Sequence, residues 1–94
     1  IKKQEFMKMN FYIDENVLIP QPDTEILVEE VINKAKNNKQ KLKILDLCTG
    51  SGCIAVSIAK YIKNSEVFAS DISKEALKIA KLNAKENFQT LESI

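Results

Sequence analysis

A chain of 94 residues, 45% hydrophobic and 29% charged, has the size of one small domain and enough apolar content for a core. Fourteen lysines stand against thirteen acids, a net charge of +1, and there is no arginine, histidine or tryptophan. That composition excludes imidazole-based triads, most zinc sites and bidentate guanidinium recognition of phosphate or guanine, and it gives no electrostatic footprint for nucleic acid.

The elements follow in order. Phe11-Tyr12-Ile13 and Val17-Leu18-Ile19 are β-prone runs around Asp14-Glu15-Asn16, which predicts a hairpin, extended back to Glu5-Phe6-Met7. Pro20 and Pro22 stop it. Asp23 then serves as a helix cap, with Glu25 in the first turn on the positive end of the dipole. Leu27, Val31 and Ala35 make one apolar ridge, Val28 and Ile32 a second, and Asn37-Asn38 suits the stop. Lys43–Leu47 reads as a short strand with an acid near its end. Cys53–Ile62 reads as a helix apolar nearly all round, packed on more than one side. Glu66–Ser70 is a second strand running into Asp71. Ser73 caps a third helix from Lys74 to about Asn87, with Ala76, Leu77, Ala80 and Ala84 inward. The tail from Phe88 carries no clear pattern. Strand, helix, strand, helix means an α/β fold with a parallel sheet.

Average usage would give about six or seven glycines in this length. There are two, both within Cys48-Thr49-Gly50-Ser51-Gly52. A strand, a glycine turn and a helix N-terminus together make a ligand site, because the backbone approaches closely and unpaired N–H groups face outward. Gly50 to Ala55 fits the dinucleotide pattern G-x-G-x-x-A. Asp71, 19 residues after Gly52, is placed to accept hydrogen bonds from ribose hydroxyls. Asp46 divides the ribose cofactors. Against a pyrophosphate at about 4 Å, its charge costs roughly 4 kcal/mol at an effective dielectric near 20. S-adenosylmethionine has no phosphate and carries an ammonium and a sulfonium, so the same carboxylate attracts it. Cys48 and Cys53 match no metal or disulfide spacing and read as small loop and core residues, consistent with a reducing, cytoplasmic setting. No metal site is expected. The longest uncharged run, Leu47–Ala59, is too short for a bilayer, and Ile1-Lys2-Lys3 leads into no signal-like apolar run.

Asn16-Val17-Leu18-Ile19-Pro20-Gln21-Pro22-Asp23-Thr24-Glu25, followed by Asp46 to Ala55 and by Asp71-Ile72-Ser73-Lys74-Glu75-Ala76-Leu77, resembles the peptide chain release factor glutamine methyltransferases. The proline segment is the more specific part, since the glycine loop is common to many class I methyltransferases. The resemblance implies a partial class I, Rossmann-like parallel sheet preceded by a β-hairpin. Residues 1–22 would be hairpin and linker, and 23–94 the first half of the methyltransferase domain. It implies S-adenosyl-L-methionine as cofactor. Cys48, Thr49, Gly50, Ser51 and Gly52 would wrap its methionine part, Asp71 would hold the ribose and Ile72 would pack on adenine. Pro20, Gln21, Pro22 and Thr24 would border the substrate cleft. The implied substrate is the glutamine amide of a Gly-Gly-Gln loop in release factors, the implied partners. Two departures stand out. Gln21 replaces the arginine usual between the prolines, and the Asn-Pro-Pro-Tyr motif that holds the amide is absent, as is any Asn-Pro pair. No catalytic residue is therefore assigned within residues 1–94, and neither a membrane nor a nucleic-acid partner is expected. Two alternatives remain at this point: a base N-methyltransferase and a dinucleotide-binding oxidoreductase domain. Without a later strand beside Lys43–Leu47, one sheet edge would be open, which predicts self-association, most simply a homodimer.

Overall fold

The computed structural model describes residues 2–15, 21–37, 40–47 and 49–93. Strand β1 (Lys2–Phe6) and strand β2 (Met9–Ile13) form an antiparallel hairpin with Phe6 opposite Met9. The hairpin therefore turns at Met7-Lys8, and β2 pairs backward with β1. The other pairing expected from the sequence, Phe11–Ile13 with Val17–Ile19, involves residues outside those described. Met7 and Lys8 both take positive φ, 51° and 64°. Such a two-residue turn normally carries Asn-Gly, and the left-handed region costs an L-residue about 1–2 kcal/mol. Met7 is held there from two sides. Its N–H donates to a Glu25 carboxylate oxygen at 2.7 Å, and its carbonyl accepts from the Tyr61 hydroxyl at 2.8 Å.

Helix α1 (Pro22–Ala35) starts two residues earlier than Asp23 capping would require. Gln21 is the N-cap, with extended backbone and no capping side-chain bond, and Pro22 is the first helical residue, where its missing N–H costs nothing. Asp23 acts through its charge in the first turn. Val28 is fully buried, with Val31, Ile32 and Ala35 packed against the core, whereas Leu27 and Ile26 are exposed. The expected ridge thus holds for Val31 and Ala35 and fails at Leu27.

Strand β3 (Leu42–Leu47), helix α2 (Cys53–Tyr61), strand β4 (Ser65–Ser70) and helix α3 (Lys74–Glu86) follow as the sequence predicts, within a residue at each end. β3 and β4 pair in parallel from Leu42 opposite Ser65 to Leu47 opposite Ser70. A third strand, β5 (Glu92–Ser93), pairs in parallel with the other side of β4. The tail therefore has a structure its sequence did not announce. Phe88 enables it: at φ 60° it follows the helix cap, and the Gln89 N–H returns to the Ala84 carbonyl at 2.8 Å. Leu91 is buried behind that turn.

One core joins hairpin and sheet: Phe6, Met9 and Phe11 pack with Val28, Val56, Ile58, Val67 and Ala80. Phe6 and Phe11 meet edge to face at 6.2 Å. On the opposite face of the sheet Leu45 and Leu47 are exposed by 51% and 67%, while Phe68 of β4 is half-buried. Among the described residues, β3 has β4 as its sole neighbour. That is the edge on which the expected self-association rests.

Candidate functional site: the glycine loop between two carboxylates

In-register pairing of β3 and β4 brings two acids to one end of the sheet. Asp46 lies opposite Ala69, and Asp71 follows Ser70 directly. The loop between β3 and α2 is then tied down along its length. The Thr49 N–H donates to the Ser70 carbonyl at 2.9 Å, and the Gly52 N–H to the Thr49 carbonyl at 2.8 Å. The Thr49 hydroxyl donates to Asp46 at 2.9 Å. The Gly50 N–H donates to one Asp71 oxygen at 3.0 Å, and the Ser73 N–H to the other at 2.9 Å. Ser73 caps α3 by accepting from the Ala76 N–H.

The two glycines need glycine for different reasons. Gly52, at φ 83°, sits so close to α3 that a Cβ would lie 2.9 Å from the Ala80 Cβ and 3.0 Å from its Cα. Gly50, at φ 55°, would meet nothing within 4 Å. Gly52 is thus fixed by packing, and Gly50 by a left-handed turn that borders open space at the mouth of the site.

The carboxylates differ electrostatically. Asp46 has its pKa raised. Burial is the main cause, the nearby Asp71 charge adds to it, and bonds from Thr49 and the Ala55 N–H oppose it. Asp71 has its pKa lowered by the N–H groups of Ser73 and Gly50. Burial pushes the Cys53 thiol up to about 11, and Ser51 Oγ lies 2.8 Å from its sulfur, so this cysteine is an inert core group.

The signs of these shifts give opposite pH dependences. A raised folded-state pKa means that the fold binds an extra proton, so the Asp46 contribution to stability falls as pH rises from the ordinary carboxylate range through the raised value. Asp71, with a depressed pKa, contributes stability that is present above its unfolded pKa and is lost as pH falls through the folded one. Asp46→Asn cannot titrate and isolates the first effect. The urea midpoint of the wild type, taken relative to Asp46→Asn, is expected to fall as pH rises out of the ordinary carboxylate range through the raised value. A constant difference would mean that Asp46 is not desolvated.

The structure therefore brings Asp46, Thr49, Gly50, Ser51, Gly52 and Asp71 together. Ile72, directly after Asp71, is fully exposed at 101% and presents an apolar side chain beside the loop. Cys48 and Pro20 lie outside the described residues. Gln21 and Pro22 line a separate shallow cleft of about 160 Å³ against Gln4, Glu5, Phe6 and Glu25, and Thr24 sits in the same first turn of α1. Sequence reasoning missed Asn83 as part of the loop's support. It is fully buried and donates to the Ser51 carbonyl at 2.7 Å. Helical spacing carried the signal, because Ala76, Ala80, Asn83 and Ala84 share one face.

With this geometry in view, comparisons with known proteins align with the same segment. A family model described as "Methyltransferase small domain" matches residues 21–94. The release factor glutamine methyltransferase of Clostridium acetobutylicum is 52% identical over 82 residues, covering 87% of this chain and 28% of that protein. The one from Lactococcus lactis subsp. lactis is 53% identical over 90 residues, covering 96% of this chain and 33% of that protein. The chain thus spans about a third or less of the length of these relatives. Among solved structures, a SAM-dependent methyltransferase from Agrobacterium tumefaciens superposes with a TM-score of 0.80 at 20% identity, covering 99% of this chain and 31% of that one. M. jannaschii TYW2, solved in complex with AdoMet, gives 0.75 at 17% identity, covering 98% and 41%. These likenesses establish the fold as a partial Rossmann-like α/β sheet of the SAM-dependent methyltransferase type.

Proposed function

The chain belongs to the methyltransferase small domain family, and from that premise we propose that it forms the cofactor-binding half of a release factor glutamine methyltransferase. The observation that carries this reading is the pair of carboxylates around an open glycine turn. Asp46 faces the loop at a corner where a pyrophosphate would be repelled and a cationic methyl donor attracted. Asp71 spends one lone pair per oxygen on Gly50 and Ser73 and keeps the others for the two ribose hydroxyls. The space beyond Gly50 admits a ligand against the bare backbone. Ile72 offers an apolar platform for adenine.

When bound, S-adenosylmethionine supplies an electrophilic methyl group. The chain's own residues bind and orient it: the loop takes its methionine part, and Asp71 the ribose. Receiving the methyl group requires an amide nitrogen held in line, and amide nitrogen is a poor nucleophile without such positioning. No Asn-Pro pair is available for that among these 94 residues, so the group that holds the glutamine comes from outside them. The partners in this reading are release factors, met in the cytoplasm, and Pro20, Gln21, Pro22 and Thr24 border their approach.

Calorimetry with S-adenosylhomocysteine and with NAD tests the cofactor. S-adenosylhomocysteine is expected to bind, more weakly than about 1 µM, because sites that bury 70% or more of a ligand need walls this chain supplies only in part. NAD is expected not to bind. The reverse preference would replace the methyl donor with a dinucleotide. Incubated with labelled cofactor and a release factor containing Gly-Gly-Gln, the chain alone is expected to transfer no label. Clear incorporation would mean that the amide-holding group lies within residues 1–94.

A further inference from the structure

Asparagine is usually exposed or at a cap, yet Asn83 is fully buried inside α3. Its side chain makes three hydrogen bonds, both amide hydrogens and the oxygen engaged, to partners from two other elements. Oδ1 accepts from the Tyr12 N–H at 2.6 Å, while Nδ2 donates to the Tyr12 carbonyl at 2.9 Å and to the Ser51 carbonyl at 2.7 Å. Tyr12 stands opposite Lys3 in the hairpin, and both of its backbone groups turn away from β1 toward α3. Asn83 thus satisfies the outer edge of β2 as a third strand would, and with its remaining N–H it holds the glycine loop. One turn earlier, Ala80 presses against Gly52. The carboxamide is planar and rigid, so a displaced Ser51 carbonyl tilts the same plane that holds Tyr12.

We propose that Asn83 is a positioning residue that joins the β-hairpin to the glycine loop, so that occupancy of the loop and the seating of β2 are one linked equilibrium. By reciprocity, whatever displaces the hairpin changes loop affinity by the same factor by which a loop ligand changes the seating of the hairpin. The link itself stands on the hydrogen bonds. Only its ligand arm rests on the cofactor reading above.

Amide NMR on the whole chain tests it, with S-adenosylhomocysteine as the probe. In Asn83→Ala, which keeps a strong helix former in α3, exchange at Gly50, Gly52 and Tyr12 is expected to quicken by about tenfold or more while the α2 and α3 amides hold. In Asn83→Asp the acceptor for the Tyr12 N–H is kept and both donors are lost, so Gly50 and Gly52 quicken more than Tyr12. In the wild type the probe shifts the Tyr12 amide resonance together with those of the loop, and in Asn83→Ala the loop responds while Tyr12 does not. Unchanged loop exchange in the variants, or a uniform rise across every element, would overturn the proposal and leave Asn83 a purely stabilising group. Should neither variant fold, the wild type decides. Loop resonances that move without Tyr12 overturn the link. A probe that moves none of them overturns the cofactor reading, and the link is then decided by wild-type exchange in rising urea, where Tyr12, Gly50 and Gly52 amides that open with one common free energy support it and amides that open independently overturn it.

Discussion

Replacing Gly52 with alanine is expected to remove most of the chain's stability. The new Cβ would stand 2.9 Å from the Ala80 Cβ and 3.0 Å from its Cα, and only the helix backbone could give way. Overpacking of that kind costs about 1–3 kcal/mol, and an L-residue at positive φ adds about 1–2 kcal/mol. Together these approach the lower end of the ~5–15 kcal/mol that holds an ordinary domain folded. The control is Gly50→Ala. Its Cβ would meet nothing within 4 Å, so it bears only the backbone penalty of about 1–2 kcal/mol. It does intrude on the space where the ligand would lie. Urea unfolding should therefore rank Gly52→Ala far below Gly50→Ala, and ligand titration should find Gly50→Ala folded but impaired. Equal midpoints for the two variants would mean that the loop does not bear on α3.

The second large effect is expected at Asp71→Ala. This side chain accepts the Gly50 and Ser73 N–H groups, so its removal frees the mouth of the loop and the start of α3 together. If it also takes the ribose hydroxyls, the loss of hydrogen bonds to a charged group weakens S-adenosylhomocysteine binding by about 1.5–3 kcal/mol, roughly ten- to a hundredfold. Asp71→Asn separates the two roles. It keeps one acceptor oxygen for a backbone N–H and loses the charge, so its affinity should lie between wild type and alanine. Unaltered affinity in Asp71→Ala would reduce the residue to a brace for the loop and the helix.

Much of the fold was written locally. α2 declared itself through Ile54, Ala55, Val56 and Ile58, α3 through Ser73 and its alanines, and β3 and β4 through short β-prone runs ending in acids. Each of these signals acts within a few residues. What went unread depended on contacts between distant residues. The hairpin turn at Met7-Lys8 has no glycine or asparagine to mark it, and it is held by Glu25 and Tyr61, 18 and 54 residues away. Leu27 looked buried because helical periodicity specifies a face but not its width, and α1 meets the core along a narrower stripe through Val28. β5 is two residues long and depends on Phe88 adopting a glycine-like conformation.

The same division runs through the site. By itself the sequence determined that a glycine loop joins a strand to a helix between Asp46 and Asp71, because residue types and spacing there dictate the backbone's options. Only the tertiary structure decided that Gly52 is tight and Gly50 open, that burial and a like charge raise Asp46 while two N–H groups lower Asp71, and that Asn83 fastens the loop to a hairpin 71 residues earlier in the chain. The physical reason is that close approach, desolvation and buried hydrogen bonding depend on which surfaces meet, and a residue's neighbours in sequence say little about its neighbours in space.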